Sequence, residues 1–199
     1  MHLHPAASPT TSVISTDHLS AIAIGPASQD DLPALFAYLG EQLAENGRDG
    51  APLFQPMARI DTGVPEPMRE RFTQGMATPL DGIGWRRVWL ARRLDGEIVG
   101  HIDLRGYPEP TASHRAVLGM GVRHDTRRAG LGRRLMLEAL AWARRTPPLA
   151  WVDLEVMTQN HAARALYLQM GFQVTGEVQD RYRVDGAEIG EVSMSLALF

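Results

Sequence analysis

The chain has 199 residues, a length that fits one domain or one domain with a tail, and its 44% hydrophobic content suffices for a core without disulfides or a structural metal. It contains no cysteine, and all 20 basic residues are arginine, which excludes disulfide scaffolds, Cys-ligated metal centres, a cysteine nucleophile and any reaction built on a lysine. A net charge of −3 and a pI near 6.2 argue against a dedicated nucleic-acid binder. The amino terminus carries no apolar run behind a basic start, and no stretch is apolar enough to span a bilayer, so the expectation is a cytoplasmic protein with neither a nucleic-acid nor a membrane partner.

Residues 1–19, rich in Ser, Thr, Pro and His, follow neither hydrophobic period and read as a flexible tail, with the domain proper over 20–199. A metal site through His2 and His4 would lack further ligands, so no metal is expected. From Ser20 the run SAIAIG reads as a strand, and Ser28 precedes a helix whose apolar positions Leu32, Leu35, Phe36, Leu39 and Leu43 follow the 3.6 period and stop near Asn46-Gly47. Residues 47–84 read as a loop carrying one short helix, Pro67 to Met76. Two alternating strands, Arg86–Leu94 and Glu97–Tyr107, flank the hairpin signal Asp95-Gly96. A strand from Ala116 to Val122 leads through a polar segment into a helix from Gly130 to Arg145, stopped by Pro147-Pro148. Leu149–Met157 reads as a strand, His161–Met170 as a helix ending at Gly171, and the stretch from Val178 as a hairpin across Asp185-Gly186. This order predicts an α/β fold, a mixed and mostly antiparallel central sheet with helices on both faces.

The most specific segment is Arg127-Arg-Ala-Gly-Leu-Gly132, placed between a strand and an amphipathic helix. There Gly130 and Gly132 let backbone N–H groups converge on an anion at a helix start, and a Cβ at either would intrude on it. Five arginines against Asp125 between Arg123 and Arg134 add a local patch of about +4. A phosphate-bearing ligand is the natural occupant. A dinucleotide fingerprint fails because Leu135 stands where the third glycine belongs, and a nucleotide-hydrolase phosphate loop fails for want of a lysine.

The run from Val122 to Gly132 resembles the acyl-CoA pyrophosphate loop of the GCN5-related N-acetyltransferases (GNAT), Gln/Arg-x-x-Gly-x-Gly/Ala. The run from Leu154 to Phe172 resembles that family's second signature: a strand, an Asn, a helix carrying a Tyr, then Gly-Phe. The resemblance implies a GNAT fold and acetyl-CoA as co-substrate. By it, backbone groups of Met120, Gly121 and Val122 pair with pantetheine, and Arg127, Arg128, Ala129, Gly130, Leu131, Gly132 and Arg133 hold the pyrophosphate. Asn160 contacts the pantetheine arm, Tyr167 faces the sulfur as the acid, and Glu155 is the base. The spacing of Glu155, Asn160 and Tyr167 is most similar to that of bacterial ribosomal-protein N-terminal alanine acetyltransferases. Arg128 stands where that family often has Gly, and His124 where it often has Pro.

Independently of that resemblance, Asn160 suits a helix cap and Tyr167 lies two turns later near the same line on the helix surface. Acyl transfer to an amine needs a base, a polarised carbonyl and a donor to the leaving thiolate. A carboxylate on the strand Leu149–Met157 can serve as base, and alternation places Asp153 beside Glu155 on one face, so either is eligible. Tyr167 with an ordinary pKa near ~10 can donate. His101 and Asp103, sharing a face of another strand, form a reserve proton relay, and His161 is expected at the surface. The resulting expectation is direct acetyl transfer in a ternary complex, with a catalytically silent acyl-CoA-binding module as the alternative. The acceptor, a small-molecule or peptide amine, is expected against residues 47–84 and the Val178–Val192 hairpin, and a homodimer is left open.

Overall fold

Strands whose residues alternate between two buried faces need cover on both sides, and the chain supplies it with helices before and after the central strands. The structure, a computed structural model, describes residues 21–48, 51–58 and 63–199. The elements are β1 (Ala23–Pro26), α1 (Leu32–Ala44), α2 (Glu66–Ala77), β2 (Arg86–Arg92), β3 (Ile98–Gly106), β4 (Arg115–Val122), α3 (Leu131–Arg144), β5 (Trp151–Met157), α4 (His161–Gln169), β6 (Gln173–Val184) and β7 (Ala187–Ala197). They form one seven-stranded sheet in the order β1-β2-β3-β4-β5-β7-β6, antiparallel throughout except for the β4–β5 neighbours. The proposed tail and its histidines lie outside the described residues.

The turn chemistry acts where expected. Gly96 has φ +89° between β2 and β3, and Asp185 and Gly186 both take positive φ, +48° and +81°, between β6 and β7. Two boundaries differ from the sequence reading. A short 3-10 turn, Gln29–Asp31, precedes α1, its Ser28 N–H donating to Asp31 Oδ2 at 2.8 Å. The last hairpin begins at Gln173 rather than Val178, because β6 is an edge strand exposed on both faces and shows no alternation to read.

Registers sort the side chains. On the front face Val88 and Leu90 of β2 pack with Leu35, Tyr38, Leu39 and Leu43 of α1 and Phe72 of α2. On the back face Ile102, Leu104, Leu118, Leu154, Val156 and Met194 pack with Leu131, Leu135, Met136 and Leu140 of α3 and Tyr167 of α4. His101, Asp103, Gly119, Gly121, Asp153 and Glu155 alternate with these back-face residues and belong to the front.

The β4–β5 pair makes only three register matches, Arg115↔Trp151, Ala116↔Val152 and Val117↔Asp153. Beyond them β4 continues to Val122 and β5 to Met157, each still paired on its outer edge, to β3 and to β7. The middle of the sheet therefore opens into a cleft with unpaired strand edges. Its closed end is clamped by Asp153, which accepts from Arg115 Nε (2.8 Å) and Nη2 (2.5 Å), Tyr107 Oη (3.0 Å) and Ser195 Oγ (2.6 Å). Burial alone works to raise the Asp153 pKa, but the bonds from Arg115, Ser195 and Tyr107 outweigh it and hold the carboxyl below its usual value. A depressed folded pKa contributes stability above the unfolded value of ~3.9 that is lost as pH falls through the folded pKa. Asp153→Asn should therefore cost about 1–3 kcal/mol in urea unfolding at pH 7, and the gap to wild type should be smaller at pH 3, below the unfolded pKa of ~3.9. An equal gap at both pH values would refute the clamp as a charged one.

Candidate active site

The segment joining β4 to α3 is anchored before it reaches the helix. Thr126 is buried and its Oγ1 donates to Arg123 O at 3.0 Å, while Arg127 Nε donates to Val122 O at 2.8 Å. Arg128 takes φ +61° and Gly130, the residue preceding α3, φ +86°. A left-handed Arg128 is strained, which is the physical reason a glycine suits that place. The two left-handed residues turn the chain so that the first N–H groups of α3, free of intrahelical partners, face outward at the end of β4.

One expectation about this loop needs correction. The arginine patch is largely spent inside the fold: Arg123 pairs with Glu97 and Asp125, Arg127 with Glu45, and Arg134 donates to Ile22 O. Arg128 and Arg133 are exposed, so they carry the positive charge available to a ligand. The glycines also differ in role. A Cβ at Gly132 would meet Leu166 Cδ2 at 3.1 Å and Met120 Cε at 3.3 Å, so this glycine lets α3, α4 and β4 close on one another. A Cβ at Gly130 would meet no protein atom of the described residues within 4 Å, and within the protein itself the constraint is its φ.

At the other side of the cleft, Asn160 caps α4, its Oδ1 accepting from Ala163 N–H at 3.3 Å. Tyr167 is buried on the back face against Phe172, ring centroids 6.0 Å apart. Among the described residues its hydroxyl has no hydrogen-bond partner, and burial pushes its pKa up to about 12 rather than leaving it near ten. Glu155 is exposed on the front face of β5, opposite Ser193 of β7. The two expected catalytic side chains thus come from opposite faces of the sheet. Asp153 is excluded as base by its four bonds at the closed end. His161 is exposed, as expected.

The reserve relay is not poised as one. Asp103 is bound to buried Arg86 at 3.1 Å, and that guanidinium lies 3.9 Å from the Phe72 ring centroid. His101 is buried edge-on against Tyr38, centroids 5.5 Å apart, and desolvation lowers its pKa to about 4. Both side chains lean over β4, where Gly119 and Gly121 make room: a Cβ at Gly119 would lie 2.6 Å from Asp103 Oδ2, and one at Gly121 3.0 Å from His101 Cε1. The alternating glycines in a strand were the signal for this overlay, and the sequence reading passed over them. It also missed Tyr182 of β6, which donates to buried Glu191 of β7 at 2.8 Å. Leu53, from the segment before α2, packs with Met157, Tyr182, Val184 and Ile189, so the two regions expected to face an acceptor do meet at the end of β5.

The model of the Acetyltransferase (GNAT) family matches residues 58–172, and the chain belongs to that family. It is 36% identical over 100 residues to the N-alpha-acetyltransferase RimI of Mycobacterium tuberculosis, covering 50% of this chain and 61% of that one. It is 26% identical over 116 residues to the Arabidopsis thaliana N-terminal acetyltransferase A complex catalytic subunit NAA10, covering 57% of this chain and 60% of that one. The chain thus spans about three fifths of the length of these relatives. Among solved structures, yncA of Salmonella typhimurium, determined with its cofactor acetyl-CoA, superimposes with a TM-score of 0.70 at 19% identity, covering 90% of this chain and 95% of that one.

A histidine buried neutral, with its folded pKa below the unfolded ~6.5, contributes stability that is complete above that value and is lost as pH falls. From about 6.5 to about 4 the shift is worth on the order of 3 kcal/mol. Wild-type unfolding free energy should drop between pH 6.5 and 4, and His101→Gln should flatten that drop. An unchanged slope in the variant would place the acid sensitivity elsewhere.

Proposed function

We propose that this protein is an N-acetyltransferase that moves the acetyl group of acetyl-CoA directly to a primary amine in a ternary complex. The observation that carries the reading is the β4–β5 cleft: an unpaired strand edge at Leu118–Val122 running straight into the left-handed turn and free helix start at Gly130. Met120, Gly121 and Val122 offer backbone groups to an amide-bearing arm, as an added strand would. The N–H groups from Arg128 to Arg133 and the exposed Arg128 and Arg133 side chains suit a pyrophosphate at the mouth. Acetyl-CoA supplies the activated acyl group and the thiol leaving group when bound.

In this reading Glu155 takes the proton of the incoming ammonium, directly or through a water, from the front face. A backbone N–H near Met120 or Val122 polarises the carbonyl, and the Tyr167 hydroxyl, without a hydrogen-bond partner among the described residues, serves the departing sulfur from the back face. Asn160, with its oxygen committed to the cap, has its amide N–H groups left for the arm. The names of RimI and NAA10, an N-alpha- and an N-terminal acetyltransferase, support a peptide or protein amino terminus as the acceptor. The proposal includes a cytoplasmic setting and an activity residing in 20–199, behind a tail over 1–19.

Tyr167→Phe should lower kcat by ~10²–10³ with acetyl-CoA affinity unchanged. Since no protein partner is left behind, the melting temperature should hold; a lowered melting temperature with normal kcat would sink the catalytic role. Gly130→Ala should weaken acetyl-CoA binding in calorimetry, both because φ +86° strains a residue with a Cβ and because that Cβ would stand where the pyrophosphate is proposed to lie. Undiminished affinity in that variant would remove the loop assignment. Initial-rate lines should intersect, and parallel lines would indicate a covalent acyl-enzyme instead.

A further inference from the structure

Arg105 lies at the end of β3 on the front face, in register with Val117, the last β4 residue before the cleft opens. Its side chain is 38% exposed, and its Nη1 would stand 3.3 Å from a Cβ at Gly119, so the guanidinium is laid along β4 over the first unpaired residues. Among the described residues its ionic contact is Asp103 Oδ1 at 3.6 Å, beyond hydrogen-bond reach, and Arg86 already holds that same oxygen at 3.1 Å. Asp103 is 2% exposed, and its Oδ1 makes no hydrogen bond despite these two cations. The buried carboxylate therefore fixes Arg105 in place by charge while leaving its N–H groups unspent. Across the cleft, β5 runs parallel from the match Val117↔Asp153, which sets Glu155 at the level of Gly119 on the same face. One side of the opening thus offers a carboxylate and the other a fork of donors.

We infer that Arg105 is a specificity-determining residue that grips the oxygen of a carbonyl or carboxylate group attached to the carbon that bears the reacting amine. This rests on the acetyltransferase reading above. Glu155 draws the amine, and Arg105 draws the oxygen beside it, so an α-amino acyl group is oriented by both ends whereas a plain alkylamine is held by one. A guanidinium is suited to this task because its planar donors meet a carbonyl or carboxylate oxygen with fixed direction. Gly119 is required by the arrangement, since a side chain there would collide with Asp103 and displace Arg105 from the strand.

The test compares wild type, Arg105→Met and Arg105→Lys with three acceptors: an alanine-initiated peptide, free alanine and propylamine. Arg105→Met should raise KM for the oxygen-bearing acceptors by about 10- to 100-fold, the range for losing a charged hydrogen bond, while kcat/KM for propylamine and KM for acetyl-CoA hold. Arg105→Lys, which keeps the charge but loses the fork, should recover part of the loss. A preference for the peptide over free alanine in wild type assigns the oxygen to a carbonyl; the reverse preference assigns it to a carboxylate. Equal losses for propylamine and peptide, or no loss for either, overturn the role of Arg105. Calorimetric titration of the peptide into the CoA-saturated protein reads the same contrast without turnover. Absence of acetylation with every amine, beside intact Arg105-dependent peptide binding, would count against the acetyltransferase reading and not against Arg105.

Discussion

A parallel strand pair that stops pairing halfway leaves backbone donors and acceptors facing each other across a gap too wide to bond, and no interior tolerates such groups without partners. Beyond Val117 and Asp153 this sheet does just that at its centre, where two edges could otherwise have continued to zip. The strands cannot close because each is committed elsewhere: β4 is registered on β3 along its whole length and β5 on β7, each covered by its own buried back-face side chains. The cleft is thus a consequence of two well-packed half-sheets joined at three residue pairs, and the Asp153 cluster keeps that short junction from sliding.

Each half-sheet then contributes different chemistry to the gap. The β3–β4 half brings a backbone edge, a helix start and, through the room above Gly119 and Gly121, charged and aromatic side chains folded flat over the strand. The β5–β7 half carries Glu155 on its front face, and α4 carries Tyr167 on the back. In the proposed reaction an occupant lying in the plane of the sheet would meet all of these, and the acceptor would approach from the front, where Leu53 packs with Tyr182, Val184 and Ile189 of the β6–β7 hairpin. On the back face α3 packs at Gly132 directly against Leu166 of α4 and Met120 of β4.

The fold was legible because its signals are local: hydrophobic period for the helices, alternation for the inner strands, Asp-Gly pairs for the turns. β6 lost its first residues to the reading because an edge strand exposed on both faces has nothing to alternate against. The loop glycines and the Asn-to-Tyr spacing were legible for a similar reason, being fixed by a turn and a helix. What could not be read was partnership across the sheet. The sequence reading kept Asp153 eligible beside Glu155 on strand alternation, yet Arg115, Tyr107 and Ser195, drawn from three other segments, take every acceptor position Asp153 has. The same applies to the arginines before α3, whose acids Glu45 and Glu97 are distant in sequence.

The environments of Tyr167 and Glu155 also limit how protons can move in the proposed reaction. A phenol held near 12 by burial is a weaker acid than an alkyl thiol, whose pKa is about 8.5, by roughly 3.5 units, so complete transfer to the sulfur would run uphill by about 5 kcal/mol. Hydrogen-bond donation to the sulfur as charge develops there avoids that cost, and a hydroxyl with no competing protein partner can reorient to do it. Glu155 stands in the opposite situation. Exposed at the front of the cleft, it can pass its proton to solvent after each turnover. In the proposed reaction the two sides would then have distinct tasks: the buried back would stabilise developing charge without itself ionising, and the open front would carry the net proton out.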